Sequence, residues 1–359
     1  MVQAEEFNNV RLRANEKKLY KEINRSNGIK FPIKVDIAMH AHKRSLIIQS
    51  ELGGVEFPID EQYSKHKRQF NQDKALIFDS IHRLIRCIID CQIHLQDAVA
   101  VRNALELARS FGARVWDNSP LQMKQISQIG LVAIRKLATG GINSIEALET
   151  AEPHRIEMLL SKNPPFGNKM LANLKDFPKL HVSVKMMGKE SKKGRPVIIK
   201  IKAEVGFIND KIPTFFRRKP VYICLLTERS DRFLVDFRRI SASKLNKSPD
   251  ILFSAELLSH TQYVTCHVMC DEIAGTMRSA ELRPELPPYL FPSSPEERQQ
   301  YQSAGAQAGQ KPSGGRIEKH DDLVGDSPLT LQDDEFDDDS LNDQDMMDAC
   351  KKSLSLARS

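Results

Sequence analysis

The chain has 359 residues and a formal net charge of +6, and 40% of its residues are hydrophobic, which is enough to bury the cores of about two or three domains. The charge is uneven. Residues 293–359 hold 7 Lys and Arg against 15 Asp and Glu, so residues 1–292 carry a net charge of +14. This positive charge on residues 1–292 favours a polyanionic partner, although basic proteins also bind acidic proteins and membranes.

The remaining composition excludes several protein classes. The six cysteines lack the spacing of a secreted disulfide scaffold, which indicates free thiols in a reducing compartment. We expect no signal peptide, because the first residues are polar and charged, and no transmembrane helix, because no apolar run is long enough. These patterns predict a protein of the cytosol or nucleus without membrane partners.

Helical spacing of apolar residues dominates the first part of the chain, and we assign residues 1–120 to a helical bundle. Asn118-Ser119-Pro120 is expected to end its last helix. Closely spaced glycine and proline turns predict short helices over 121–178. The helices expected in the bundle cover residues 42–52, 73–95 and 97–116.

The apolar period then changes to two, which is typical of strands. Short strands separated by turns predict an α+β protein in which residues 179–292 form an immunoglobulin or fibronectin type III-like β-sandwich. The polar composition of residues 293–359 predicts a disordered acidic tail. The expected strands cover residues 180–186, 197–205, 221–226, 233–237, 251–257 and 263–269.

Residues 126–131 resemble the turn of a helix-hairpin-helix, followed by a helical pattern. In that motif the backbone N–H groups of Gly130 and Leu131 would face a phosphate without reading base sequence. Val132 stands where a second glycine is usual and hinders close approach. The alternative is a hairpin that only positions its neighbours. Basic residues nearby support phosphate binding, namely Lys124, Arg135 and Lys136.

Arg102, Arg109 and Trp116 are seven residues apart on the helix expected over 97–116. Residues at this spacing lie within about 20° of one another around a helix axis. Guanidinium and indole planes stack on bases, so these residues could grip a single strand. The alternative is that Trp116 lies in the core and that the arginines are solvated or paired.

Motifs for catalysis and metal binding are absent from the sequence. It contains no G-x-x-x-x-G-K-[ST] loop, and Asp271-Glu272 follows the last expected strand without the surrounding pattern of a nucleotide-binding sheet. Cys266, His267 and Cys270 lack a second pair of ligands. We therefore expect no metal site, no catalytic residue and no ATP hydrolysis by this chain alone.

Helices, a helix-hairpin-helix and a sandwich in this order resemble the Sec63 domain at the C-terminal side of superfamily-two helicases. The amino-acid sequences of several segments are similar to those of the meiotic crossover DNA helicases, especially fungal ones, and the resemblance covers about residues 7–292. These segments are Ile29-Lys-Phe-Pro-Ile33, Gln49-Ser-Glu-Leu-Gly-Gly54, Ile81-His-Arg-Leu-Ile-Arg-Cys-Ile-Ile-Asp90, Ala108-Arg-Ser-Phe-Gly-Ala-Arg-Val-Trp116 and Asn163-Pro-Pro-Phe-Gly167.

The resemblance implies a nuclear role in meiotic recombination and crossover formation, beside a 3′-to-5′ helicase motor that uses ATP and Mg²⁺. The family's motor domains and winged helix precede this region and none is present here, so we expect either a piece of a longer helicase or a motorless relative. In related archaeal helicases an Arg and an aromatic residue at this spacing contact the threaded strand, and Arg109 and Trp116 match that pattern.

Two functions follow from these observations. The leading hypothesis is an accessory region that grips single-stranded or branched DNA next to the motor. The alternative is a non-enzymatic scaffold that recruits proteins, such as meiotic recombination proteins, through the sandwich and the acidic tail.

Overall fold

Helices occupy the first half of the chain and antiparallel sheets the second, in a computed structural model that describes residues 1–192, 195–245 and 250–291. This mixed arrangement confirms the α+β class. The acidic tail expected over 293–359 lies outside the described residues. No helix in the described part is both long and apolar enough to cross a membrane.

The helices of residues 1–120 bury apolar faces against one another. The helix expected over 73–95 is confirmed, and it is longer than its apolar spacing indicated because its first turns continue through polar residues. After two 3₁₀ turns, Glu5–Phe7 and Ala14–Glu16, the α-helices are α1 (Lys17–Asn24), α2 (His40–Leu52), α3 (Glu61–Ser64), α4 (Lys67–His94) and α5 (Ala98–Ala113).

Helix α5 is shorter than expected. Its start is capped by the Asp97 carboxylate, which accepts a hydrogen bond from the Ala100 N–H at 2.9 Å. It ends at Ala113, because Arg114 adopts a left-handed conformation with φ of 56°. The prediction of one helix over 97–116 is therefore wrong at its C-terminal end, and Trp116 does not lie on it.

Short helices follow the bundle, as their turns predicted. Their apolar side chains pack in one cluster with residues of the sheets, for example Leu137 and Ile156 with Leu225 and Val268. The segment therefore has no separate core of its own. Its elements are a 3₁₀ helix (Pro120–Gln125), α6 (Leu131–Thr139), α7 (Ile145–Glu149), α8 (Pro153–Leu160) and α9 (Phe166–Asn173).

The strands of the described part form antiparallel sheets, and each strand expected from the period-two pattern is confirmed, with shifted ends. The strands are β1 (Leu180–Glu190), β2 (Val197–Phe207), β3 (Phe215–Phe216), β4 (Lys219–Pro220), β5 (Tyr222–Arg229), β6 (Leu234–Ser241), β7 (Asp250–Leu257), β8 (Val264–Cys270) and β9 (Arg278–Leu282). A turn of helix, α10 (Ala242–Leu245), follows β6, and a 3₁₀ turn, Pro288–Leu290, follows β9.

The larger sheets have the orders β1-β2-β7 and β6-β5-β8-β9, and β3 and β4 form a small hairpin. Val182 pairs with Val205 between β1 and β2, and Leu225 pairs with Val268 between β5 and β8. Strand β9 was missed because it is short and carries charged residues. The expectation that Asp271-Glu272 follows the last strand is wrong, since this pair lies in the turn between β8 and β9.

The sequence of β5 is a nearly continuous apolar run, because both faces of this strand are buried. Successive side chains of a strand point to opposite faces. Cys224 and Leu226 belong to the core of the helical bundle, whereas Ile223 and Leu225 belong to the core shared with the short helices and the other sheet. The four-stranded sheet is therefore buried on both faces at this strand.

Candidate nucleic-acid interface

The hairpin between the 3₁₀ helix and α6 is held by its apolar residues, and its backbone is left open at the start of α6. Ile126, Ile129 and Ile134 are buried and fix the position of the turn. Gly130 is the N-cap of α6, and within the described residues no side chain caps the helix. The first N–H groups of a helix have no acceptor inside it, so those of α6 are available to an anion.

A side chain at position 130 would meet no neighbouring atom of the described residues. A Cβ atom added to Gly130 would meet no described atom within 4 Å, and the φ of Gly130 is −91°, which other residues adopt easily. Neither packing nor backbone strain therefore requires glycine here. Val132, which replaces the second glycine, is 65% exposed and does not anchor the hairpin in the core.

Basic side chains lie on α6 and on the 3₁₀ helix before it. Arg135 and Lys136 are exposed on α6, and Lys124 at the end of the preceding 3₁₀ helix is half-buried. Arg135 lies 3.8 Å from Glu56, but both side chains are well exposed, so this ion pair contributes little. The 3₁₀ helix that carries Lys124 packs against α6, and the binding role expected for these residues stays a prediction.

Arg109 lies in the interior, with 1% of its surface exposed. Its Nη2 and Nε donate to Asp117 Oδ2 at 2.7 and 3.1 Å, and its Nη1 lies 2.7 Å from Met269 Sδ. Asp117 Oδ1 accepts from the Gly275 N–H at 2.8 Å, so the pair joins α5 to the turn between β8 and β9. A base cannot stack on Arg109 in this conformation.

Trp116 is also largely buried, at 8% exposure, and lies beyond the end of α5. Its backbone N–H donates to the carbonyl of Leu52 at the end of α2. The ring meets Phe31 edge to face, with centroids 5.8 Å apart, and Lys30 Nζ lies 5.0 Å from the indole centroid. The stripe expected for Arg102, Arg109 and Trp116 does not form on one helix, and the structure agrees with the alternative, in which Trp116 is buried and the arginines are paired.

Arg102 is half-buried and joins α5 to the four-stranded sheet. Its Nη1 lies 2.5 Å from Glu228 Oε1, and the same oxygen lies 3.2 Å from His267 Nε2. His267 Nδ1 is 2.6 Å from Ser279 Oγ. Burial lowers the pKa of His267 below its ordinary value, despite the opposing effect of Glu228. This chain of contacts gives Arg102 a structural partner.

Metal ligands do not cluster in the described part of the chain, where no group of three His, Cys, Asp or Glu side chains is positioned to hold an ion. Cys266 instead lies 3.4 Å from the Thr227 hydroxyl. Cys270 is fully buried in the shared core.

The sequence profile of the Sec63 Brl domain matches residues 1–282, which is more than half of the chain. The chain belongs to the Sec63 Brl domain family. The match includes the helical bundle, the hairpin and the strands through β9, and it confirms the resemblance stated from the sequence.

Curated relatives of this Sec63 Brl domain are named as ATP-dependent DNA helicases. The chain is 32% identical over 279 residues to the ATP-dependent DNA helicase MER3 of Saccharomyces cerevisiae, and the aligned region covers 76% of this chain and 23% of MER3. It is 28% identical over 200 residues to the probable ATP-dependent DNA helicase HFM1 of Homo sapiens, covering 55% and 13%. The Arabidopsis thaliana homolog of MER3 is 30% identical over 184 residues, covering 49% and 16%. The chain thus spans less than a quarter of these relatives.

Lys30 and Phe31 are exposed residues of this Sec63 Brl domain that the sequence patterns did not identify as candidates for binding. Phe31 is 60% exposed although it contacts Trp116. The sequence does contain an indication of exposure, because Phe31 directly precedes Pro32 and a proline at such a position indicates a loop.

Proposed function

We propose that this Sec63 Brl domain is the nucleic-acid-binding accessory region of a 3′-to-5′ DNA helicase that acts in meiotic recombination and crossover formation in the nucleus. It contacts single-stranded or branched DNA through the backbone at the start of α6. Lys124, Gly130, Leu131, Arg135 and Lys136 form this contact. ATP and Mg²⁺ belong to motor domains of the kind found in longer helicases, and residues of this chain do not bind them.

The observation that carries this proposal is the start of α6, which no side chain of the described residues caps and where Gly130 leaves its Cβ position unoccupied. Backbone N–H groups hold a phosphate irrespective of the base, which suits a protein that must act on any sequence. We leave Arg102, Arg109 and Trp116 out of the contact, because each has a partner inside the protein.

The proposal includes a division of the chain by role. Residues 1–120 form the helical bundle, and residues 121–178 act as a helix-hairpin-helix. Residues 179–292 have the architecture of an immunoglobulin or fibronectin type III-like sandwich. Two antiparallel sheets whose side chains share one apolar cluster support the sandwich assignment.

Fluorescence anisotropy with a single-stranded oligonucleotide at several salt concentrations tests the DNA contact. Each phosphate neutralised contributes about −0.7 to the slope of log K against log salt. The Arg135→Ala/Lys136→Ala variant should bind more weakly and lose up to about 1.4 from the slope. A matched control is Lys185→Ala/Lys189→Ala, which removes two exposed charges from β1. Equal slopes for both variants would contradict the proposed contact.

A second candidate function is recruitment of proteins through the sandwich, with the acidic residues after 292 as a further contact. Met187 on β1 and Leu252 on β7 are exposed apolar side chains on the edge strands of one sheet. Exposed apolar residues on edge strands are typical of interaction surfaces. A Met187→Lys/Leu252→Lys variant should lose protein partners and keep DNA affinity.

A further inference from the structure

Phe31 is an exposed aromatic residue on a segment that the protein holds rigidly. Gln49 of α2 binds the backbone of Phe31 from both sides, accepting from its N–H at 2.7 Å and donating to its carbonyl at 3.0 Å. Asn24 holds Ile33 in the same way, at 2.8 and 2.9 Å. Pro32, between the two held residues, restricts the backbone further.

The Phe31 side chain is mostly exposed and packs against Trp116 and Lys30. Trp116 meets it edge to face, and Lys30 Nζ lies 5.6 Å from its centroid. The acidic side chain near Lys30 is Glu106, 3.9 Å away, which also accepts from Asn118. An exposed aromatic ring with a lysine ammonium close to it offers one group for a base and one for its phosphate.

Helix α2 connects this ring to the start of α6. Gln49 is hydrogen-bonded to the Phe31 backbone, and one turn later the Leu52 carbonyl accepts a hydrogen bond from the Trp116 backbone N–H. Just after the helix, a Cβ atom on Gly54 would lie 3.1 Å from Leu131 at the start of α6. The segment that carries Phe31 and the first residue of α6 thus both contact the C-terminal end of α2 or the turn that follows it.

We propose that Phe31 stacks against a base of a single strand whose phosphates lie at the start of α6, with Lys30 contacting the adjoining phosphate. This inference rests on the proposed function and adds to it the residue that engages the bases. It gives Phe31 the stacking role that one of the two alternatives drawn from the sequence gave to Trp116, and Trp116 becomes the residue that packs against the stacking ring. Stacking on Phe31 is independent of base identity, since every base has a π-face.

Anisotropy with single-stranded DNA and with the full chain tests the inference. Phe31→Ala should weaken binding about 5- to 150-fold, the range for loss of one stacked base. Phe31→Leu keeps an apolar side chain but removes the ring, so it should weaken binding to a similar extent, whereas Phe31→Tyr should bind like the wild type. Ile59→Ala removes another exposed apolar side chain and should change nothing.

The outcomes separate this inference from the proposed function. Unchanged affinity of Phe31→Ala, with the salt dependence of the wild type intact, would overturn the stacking role and leave the DNA contact standing. Wild-type affinity of Phe31→Leu would also overturn it, since an apolar contact with a protein or sugar would then suffice. A wild type without salt-dependent binding would remove both. If Phe31→Ala unfolds, the comparison of Phe31→Leu with Phe31→Tyr decides, because both retain a large side chain.

Discussion

Arg109 and Arg135 are the same type of residue on neighbouring helices, and the protein uses them in opposite ways. Arg109 is buried against Asp117 and fastens α5 to the turn after β8. Arg135 is exposed beside an open helix start and has only a weak pair with Glu56. The difference lies in the partner: a carboxylate eight residues along the chain from Arg109 meets it inside the protein.

This comparison shows how a basic residue with the spacing of a binding site can become a structural one. The left-handed Arg114 turns the chain after α5, and the turn brings Asp117 back to Arg109 and places Trp116 under Phe31. The surface aromatic residue near the helix start is then Phe31, from a segment more than eighty residues earlier in the chain.

Among substitutions that compare the two arginines, Arg109→Ala should lower the unfolding free energy most. It leaves Asp117 buried without its charge partner, which costs about 3–5 kcal/mol of unfolding free energy. Urea unfolding measures this loss. Arg109→Ala/Asp117→Asn removes both charges and should recover part of it. Arg135→Ala should change the unfolding free energy by less than about 0.5 kcal/mol. Similar losses for Arg109→Ala and Arg135→Ala would contradict the structural assignment.

The fold was largely predictable from the sequence, because apolar spacing records which faces are buried. The α4 stripe predicted the helix, and the alternation in β5 predicted the strand. The site was less predictable. The burial of Arg109 depends on Met269, 160 residues away, and the end of α5 depends on one left-handed residue. The residues of the hairpin are contiguous, so the sequence could group them, and their contact with DNA stays a prediction.

A smaller effect is expected for Gly112→Ala, near the C-terminus of α5. Alanine is the better helix former by about 1 kcal/mol, but its Cβ would lie 2.4 Å from Glu272 Cβ and 2.5 Å from the Glu272 carbonyl oxygen. The clash should outweigh the gain and destabilise the chain by about 1–3 kcal/mol. Gly188→Ala is the control, since its Cβ would meet no described atom within 4 Å. A stabilised Gly112→Ala protein would contradict the close contact of α5 with the turn after β8.

The pH dependence of stability should reflect His267. Burial lowers its folded pKa below its ordinary value of 6.5, so the folded state favours the neutral ring. The stability from this ring is present above pH 6.5 and is lost as the pH falls through the folded pKa, by at most about 1.4 kcal/mol per pH unit. Urea midpoints measured from pH 7.5 to 5 should fall less for His267→Gln than for the wild type. His154→Gln, at an exposed position, should behave like the wild type.

The smallest effect is expected for Val132→Gly, which restores the second glycine of the hairpin motif. It should cost up to about 1 kcal/mol of stability, because glycine is a poor helix former. It should also bind single-stranded DNA a few-fold more tightly, because the backbone can approach a phosphate more closely. Met158→Gly makes a similar change at an exposed position of α8 and should give no gain in affinity. Equal affinities of Val132→Gly and the wild type would show that the side chain does not limit access.

The central claim is that DNA binds at the open start of α6, and amide NMR on the ¹⁵N-labelled chain tests it most directly. Titration with a single-stranded oligonucleotide should shift the amide signals of Leu131, Val132 and Ala133 first and farthest, and the shifts should disappear at high salt. The amides around the buried Arg109 should remain in place. Salt-sensitive shifts confined to the sheets, with the signals of residues 131–133 unchanged, would contradict the account.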